Sequence, residues 1–444
     1  MLTRRLGELA LSYRHETLPA EARAMAVRCI LDATACSLAG LNEPAVVMVR
    51  GEVADQGGRA ESTLLGSSLR VPAGGAALAN GTAAHALDYD DVNLAIPGHA
   101  TAVVMPAVLA LGEAIGASGR ETVAAFVAGY EIACRVGLLV APGHYERGFH
   151  ASSTVGGIGA AAACANLLRL STTQAASALS LAATQASGLK ALFGNMGKPL
   201  HAGLAARSGV LAARLAARGF DAGSVALEHP QGFGRAMSPD FKAKDALDDS
   251  RDLFILANLF KYHAACNGVH AVIECGRLLR ERLPNGSASI VRVLVTSNPA
   301  SDKYCNIVAP SNALEGKFSL RLSAALGLLG RDTSRLSAYS DGAVSAAEVI
   351  AVRDRVTVAF SADLGMMESI MEVETIEGER VTTRYDAGCP ETDRQAQARR
   401  VEAKFQSLVE PVLGAAGTVR LKDSILELDA LNDVSALNST IKWD

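Results

Sequence analysis

Over roughly the first 265 residues the apolar positions recur at helical spacing, and alanine and glycine fill most of them. That pairing leaves few folds open. Small side chains let helix axes approach closely, so the pattern predicts a helical domain whose central helices are buried on most sides. Leu6, Leu9 and Tyr13 share one face of a first helix. Pro19 opens a second, with Ala22, Ala26, Cys29 and Ala33 on its face, and Gly40 closes it. Ser118 with Glu121, and Ser171 with Gln174, stand three apart ahead of apolar runs, which is the capping-box signature of a helix start. Ala151 to Leu168 runs eighteen residues without a charge. It is rich in Gly, Ser and Ala and contains Asn166, so a buried core helix fits it better than a membrane span, which leucine-type residues would dominate.

Near residue 285 the character changes. Ser289 to Thr296, Val352 to Phe360, Glu372 to Ile376 and Arg380 to Tyr385 alternate with a β-branched bias, and Gly378 turns between the last two. Helices such as Phe318 to Leu329 are interspersed. After Pro390 helical spacing returns, with Ala398, Val401, Phe405, Leu408 and Val412 on one face. The expected architecture is therefore mainly α: a large all-helical domain of residues 1–268 together with 390–444, and a smaller α+β lid domain of residues 269–389.

One stretch carries most of the candidate chemistry. Between Asn80 and His99 the chain places two histidines, His85 and His99, and three aspartates among alanine, leucine and valine. If Ala73 to Asp91 is one helix, His85, Asp88 and Asp91 follow at i, i+3 and i+6 along one face. Pro97 stops the helix and Gly98 turns the backbone, presenting His99 from a loop. A polar helix end with capping aspartates is the plain structural alternative. Three further segments set titratable residues among glycines. His150 precedes Ala-Ser-Ser-Thr at a helix start, where free backbone N–H groups bind carboxylate or phosphate oxygens. Lys198 lies between Gly197 and Pro199, shortly before His201. Lys261, His263, Cys266 and His270 cluster at the proposed domain boundary, the usual place for a small ligand. A base, an acid and cations that hold an anion are what proton abstraction beside a carboxylate requires. A metal site built from Asp88, Asp91 and His99 is also open.

Other classes are disfavoured. Lys and Arg total 42 against 46 Asp and Glu, a net charge of -4, which gives no basic field for nucleic acid. Charges at Arg4, Arg5 and Glu8 interrupt any signal-peptide core, and the eight cysteines are scattered without a CxxC pair. Buried free thiols in a reducing, cytoplasmic setting are expected, without a membrane partner. No dinucleotide, P-loop, nucleophile-elbow or HExxH motif is present.

Taken together, Asn80-Gly-Thr-Ala-Ala-His-Ala-Leu-Asp-Tyr-Asp-Asp, Gly98-His99, Gly148-Phe-His150-Ala-Ser-Ser-Thr, Lys198-Pro-Leu-His-Ala-Gly, Lys261-Tyr and Lys317-Phe-Ser resemble the MmgE/PrpD family. That family includes 2-methylcitrate dehydratase, cis-aconitate decarboxylase and iminodisuccinate epimerase. The resemblance runs nearly end to end. It implies a helical domain formed by both chain ends plus an α+β lid, assembled as a homodimer and working without metal or organic cofactor. It places the family's active-site residues on Asp88, His99, His150, Lys198 and Lys261, with His85, Asp91, Ser153, Thr154, His201 and Lys317 expected to contact substrate. The implied function is a cofactor-independent lyase, a hydro-lyase like 2-methylcitrate dehydratase, that removes a proton α to a carboxylate of a small di- or tricarboxylate. His99 and Asp88 would act as acid and base, while Lys198, Lys261 and His150 hold carboxylates. Val92 stands where decarboxylase-like members have threonine, and Leu322 where several have tyrosine, which argues against cis-aconitate decarboxylation. Ala100 follows His99 where proline is common, and the loop one residue longer before His99, with the Gly98-His99 and Gly148-Phe-His150 contexts, looks more like the epimerase branch, so an epimerase of an imino- or amino-dicarboxylate is the alternative. A non-catalytic carboxylate-binding homologue is a third reading.

Overall fold

The helix signals act where they stand in the sequence. In the computed structural model, which describes residues 1–283 and 286–439, the chain is mainly α with two small sheets. Ser118 accepts from the Glu121 backbone N–H while the Glu121 carboxylate accepts from that of Ser118, and Ser171 and Gln174 do the same. Gly40 caps the helix Ala20–Ala39. Two units divide the chain, one of Met1–Phe260 with Val401–Asp444 and one of Lys261–Arg400.

In the first unit every residue of the helix Ala151–Leu167 is buried, packed against Gly119–Val140, Gly197–Ala217 and Thr101–Ile115. Gly119–Val140 is itself long and apolar enough to cross a membrane, but 94% of its apolar window is buried inside the protein. It serves as a core helix. Helix approach at these crossings rests on missing side chains. A Cβ on Gly203 would lie 2.1 Å from the Leu78 carbonyl oxygen, and one on Gly81 would lie 2.9 Å from the Gly203 Cα. This contact packs the helix Ala73–His85 onto the helix Gly197–Ala217. The ends that carry His85, Lys198 and His201 are fixed by it.

Three departures from the sequence reading follow from backbone geometry. The helix begun at Ala73 ends at His85, not Asp91. Asp88 has φ +50, a left-handed conformation that a helix cannot continue through but that aspartate tolerates better than most residues. The unit expected to be all-helical also holds a two-residue antiparallel pair, β1 (Ser62–Thr63) with β2 (Arg70–Val71). In the C-terminal return, Val401, Phe405, Leu408 and Val409 are buried, whereas Val412 is exposed. Pro411 and the non-helical Gly414 (φ 66) break the helical segment Arg394–Leu426 there, so the expected apolar face does not carry through.

The second unit holds a four-stranded sheet in the order β4-β3-β5-β6, where β3 is Ile290–Ser297, β4 Val356–Phe360, β5 Glu368–Thr375 and β6 Arg380–Asp386. β3 pairs parallel with β4 and antiparallel with β5, and Gly378 (φ 81) turns β5 into β6. Along β5 alternate side chains are buried, the period-2 pattern of a sheet covered on one face. The helix His270–Arg280 covers β5 and β6 and packs against Leu320–Leu328.

The glycine crossing is testable. Gly203→Ala should lower stability by about 1–3 kcal/mol through overpacking. Gly51→Ala, in the helix Pro44–Gln56 with nothing within 4 Å of its added Cβ, should raise it by about 0.5–1 kcal/mol. Urea midpoints that move equally for both variants would show that the crossing is not close-packed.

Candidate active site

Because the helix ends at His85 and Asp88 turns left-handed, the carboxylate that reaches the histidines is Asp90, two residues on, rather than Asp91. Asp90 is fully buried between two imidazoles: His85 Nδ1 lies 3.0 Å from both of its oxygens, and His99 Nδ1 lies 3.0 Å from Oδ2. Burial opposes its charge, but the neighbouring His85 and His99 outweigh burial and hold the carboxyl well below the usual range. An ionised Asp90 accepts from the His85 Nδ1–H and, by its charge, draws the His99 proton to the Nδ1 that lies 3.0 Å away, which leaves each Nε2 as the basic nitrogen. His85 Nε2 is buried with no hydrogen-bond partner among the described residues. His99 Nε2 lies 3.7 Å from Asp88 Oδ1, and the other Asp88 oxygen pairs with Lys198 Nζ at 2.8 Å.

The loop of His99 is fixed by Ser152, which accepts from the His99 backbone N–H at 3.0 Å. A Cβ on Gly98 would lie 2.7 Å from Ser152 Oγ, so glycine is required for this seat. His150 Nδ1 faces His201 Nδ1 at 3.1 Å, and the His150 ring meets Phe193 edge-on at 4.9 Å. Burial, then the neighbouring His85 and Lys198, push the His150 pKa far down, and burial followed by His85 lowers His201. One shared proton between two neutral rings satisfies this pair. The rings of His85 and His99 lie 4.4 Å apart, and those of His85 and His150 5.7 Å. Asp88, His85, Asp90, His99, His150, Lys198 and His201 therefore form one cluster.

Other expected residues stand elsewhere. Asp91 accepts from the Thr101 hydroxyl at 2.7 Å and the Asn258 amide at 3.0 Å, and does not join the histidines. Ser153 donates to the His201 carbonyl at 3.3 Å, while Thr154 bonds His144 Nε2 at 2.9 Å and the His150 carbonyl. Lys261 and Lys317 belong to the second unit. In that unit His263 bonds Thr333 and Glu274, His270 bonds the Ala265 carbonyl, and Glu274 also pairs with Arg277 and Arg400. This network is an internal one.

Beneath the cluster lies a buried ion pair. Lys404 Nζ, brought in by the C-terminal return, lies 2.6 Å from Asp32 Oδ1 and donates to the Tyr89 carbonyl at 2.7 Å, with the Tyr89 ring centroid 4.0 Å away. Burial disfavours the ammonium, but Asp32 more than compensates and raises the pKa of Lys404. Tyr89 separates Asp88 from Asp90, so this contact sets the loop on which both carboxylates ride. His85, Asp88, Asp90 and His99 each offer one ligand atom within 4.8 Å of the others and could hold a metal ion, in competition with Lys198 for Asp88.

The profile described as MmgE/PrpD N-terminal domain matches residues 4–246, and that described as MmgE/PrpD C-terminal domain matches residues 263–429. Among curated proteins, the cis-aconitate decarboxylase-like protein oryM of Aspergillus oryzae is 26% identical, with 96% of this chain and 94% of the relative covered. The cis-aconitate decarboxylase of Aspergillus terreus is 24% identical, covering 95% and 92%, and that of Homo sapiens is 25% identical, covering 86% and 82%.

Two outcomes check the electrostatics. Removing the Lys404 charge alone, as Lys404→Met, leaves the Asp32 carboxylate buried without this counter-charge and should cost about 3–5 kcal/mol. The double variant Asp32→Asn/Lys404→Met should regain part of that loss in urea unfolding; additive losses would show that the pair is not coupled. Burial, then the Asp32 carboxylate, pushes the Asp91 carboxyl up to about 7. An unfolded aspartate titrates near 4, so between those values the native state holds a proton that the unfolded chain has released. The stabilisation is complete below about pH 4 and is lost as pH rises through about 7. Asp91→Asn should flatten this decline across that window, and an unchanged pH slope of the unfolding free energy would refute the raised pKa.

Proposed function

Since the chain belongs to the MmgE/PrpD family, we propose that it is a lyase that removes a proton α to a carboxylate of a small di- or tricarboxylate. The observation that supports this reading is the Asp90 carboxylate shared by His85 and His99, with Lys198 and Asp88 beside His99. His99, its tautomer fixed by Asp90, has a basic Nε2 to take the proton. Asp88, close to that nitrogen, is the second proton carrier. Lys198 binds a substrate carboxylate and compensates the negative charge that develops as the proton leaves, and the neutral His150–His201 pair supplies a hydrogen bond without adding charge. By resemblance alone, Lys261 and Lys317 are also residues that hold substrate carboxylates. In the dehydration we favour, a protonated acid delivers its proton to the departing hydroxyl, so no cofactor is consumed. A cytoplasmic homodimer remains part of this proposal.

Decarboxylation is the second reading, favoured by the names of the curated relatives. Against it, Leu322 is fully buried in the core helix Leu320–Leu328 and offers no hydroxyl. At Val92 the backbone is tied to Leu259 by a pair of 2.9 Å hydrogen bonds, again without a hydroxyl at that position. Epimerisation of an imino- or amino-dicarboxylate shares the first step and differs only in returning the proton to the opposite face.

Proton NMR in D2O with 2-methylcitrate, citrate, malate, cis-aconitate and aspartate-derived dicarboxylates separates the three. α-Deuterium exchange with a new olefin that keeps every carboxylate indicates dehydration, exchange without an olefin indicates epimerisation, and an olefin one carboxylate shorter, with carbon dioxide trapped in a parallel assay, indicates decarboxylation. His99→Asn and Asp90→Asn should each slow the exchange by about 10²–10⁴-fold while leaving the fold intact. Full activity of the His99→Asn enzyme would sink the assignment.

A further inference from the structure

All eight cysteines are thiols, and two of them lie against each other. Cys266 precedes the turn Asn267–Val269 that leads into the helix His270–Arg280, and Cys305 ends the short helix Ala300–Cys305. The Cys305 thiol donates to the Cys266 sulfur at 3.3 Å. We propose that this pair is a redox-modification site, a dithiol that hydrogen peroxide closes reversibly to a disulfide.

Geometry, access and surroundings each support it. A disulfide brings its sulfurs to about 2.05 Å, so closure needs a shift of little more than about 1 Å, within the reach of side-chain rotation. Room for the contact comes from Gly268, where a Cβ would lie 2.9 Å from Cys305 Sγ. Cys266 is half-buried and Cys305 fully buried, which divides the roles between an accessible attacking thiol and a sheltered resolving one. The Cys266 thiolate attacks the peroxide, the O–O bond breaks, and a sulfenic acid and one water form. The Cys305 sulfur then displaces hydroxide from the sulfenic sulfur, and that hydroxide leaves with the Cys305 proton as a second water. Two thiols lose two electrons and two protons, and the peroxide is reduced to two waters.

The bond would fall where hydrogen bonds already converge. The Cys266 N–H donates to the Lys317 carbonyl at 3.1 Å, the Ile307 N–H donates to the Phe318 carbonyl at 3.2 Å, and Asn306 bridges Ser319. The segment Lys317 to Ser319 is thus held between the two cysteine-bearing strands of chain. A disulfide converts that hydrogen-bonded frame into a covalent one and suppresses its local opening.

The full-length protein, treated with hydrogen peroxide and digested without reduction, should yield a single cross-linked peptide pair joining Cys266 to Cys305. Its mass should be about 2 Da below that of the two thiol peptides, and dithiothreitol should reverse the link. Backbone hydrogen exchange over residues 305–319 should slow in the oxidised protein, and neither the link nor the slowing should occur in Cys305→Ser. The proposal is overturned if wild-type Cys266 runs on to the sulfinic acid, if it links to the exposed Cys389 instead, or if exchange over 305–319 is the same in both redox states. None of these readouts depends on the reaction proposed for the histidine cluster.

Discussion

The site depends on one buried ammonium. Lys404 is about as buried as a lysine can be, and it is tolerated there because Asp32 neutralises it and the Tyr89 carbonyl takes one of its protons. Three distant parts of the sequence meet at this point: an N-terminal helix, the loop between Asp88 and Asp90, and the returning C-terminal helix. A loop that must hold a left-handed aspartate and present two carboxylates in opposite directions needs an external constraint. Lys404 provides it through the one backbone carbonyl that lies between them.

That constraint also explains what the sequence disclosed and what it concealed. Helix starts were legible because capping boxes are local: Ser118 and Ser171 need only a residue three positions on to declare themselves. The strands were legible through alternation, and β3, β5 and β6 lie within or beside the runs read as extended. Val352, read as strand, instead ends up in the helix Ala347–Arg353, because an alternation of apolar residues this short fits either period. The histidines, Asp88 and Lys198 were singled out by local pattern together with the family resemblance. Asp90 was passed over because a helical period joins 85 to 88 and 91, whereas an extended period joins 88 to 90. Only the tertiary contact at Tyr89 decides between those periods. Ser152 was missed for the same kind of reason, since its neighbours Ser153 and Thr154 look equally suited and only the fold shows which hydroxyl meets His99. Lys404 and Asp32 carried no local signal.

The burial that makes Asp90 effective would be ruinous for a lone carboxylate. It is sustained by two imidazoles, and in return it fixes both their tautomers, so one charge orients two bases. His150 and His201 show the opposite solution. With no carboxylate between them they share a proton, and both are pushed towards the neutral form. The cluster therefore contains histidines of two kinds, distinguished by whether an aspartate stands behind them.

On the proposed function, the pairing of Lys198 with Asp88 becomes a step rather than a static contact. Without substrate the ammonium is neutralised by Asp88 at 2.8 Å, and Asp88 is correspondingly engaged. A substrate carboxylate that takes the ammonium releases Asp88 beside His99 Nε2, 3.7 Å from it. The anionic group that is bound thereby frees a proton acceptor where the reacting carbon must lie, so that carboxylate recognition and base activation are one event. On that proposal, a substrate lacking that carboxylate would leave Asp88 tied to Lys198, so a preference for small polycarboxylates would follow from a single competition for one ammonium.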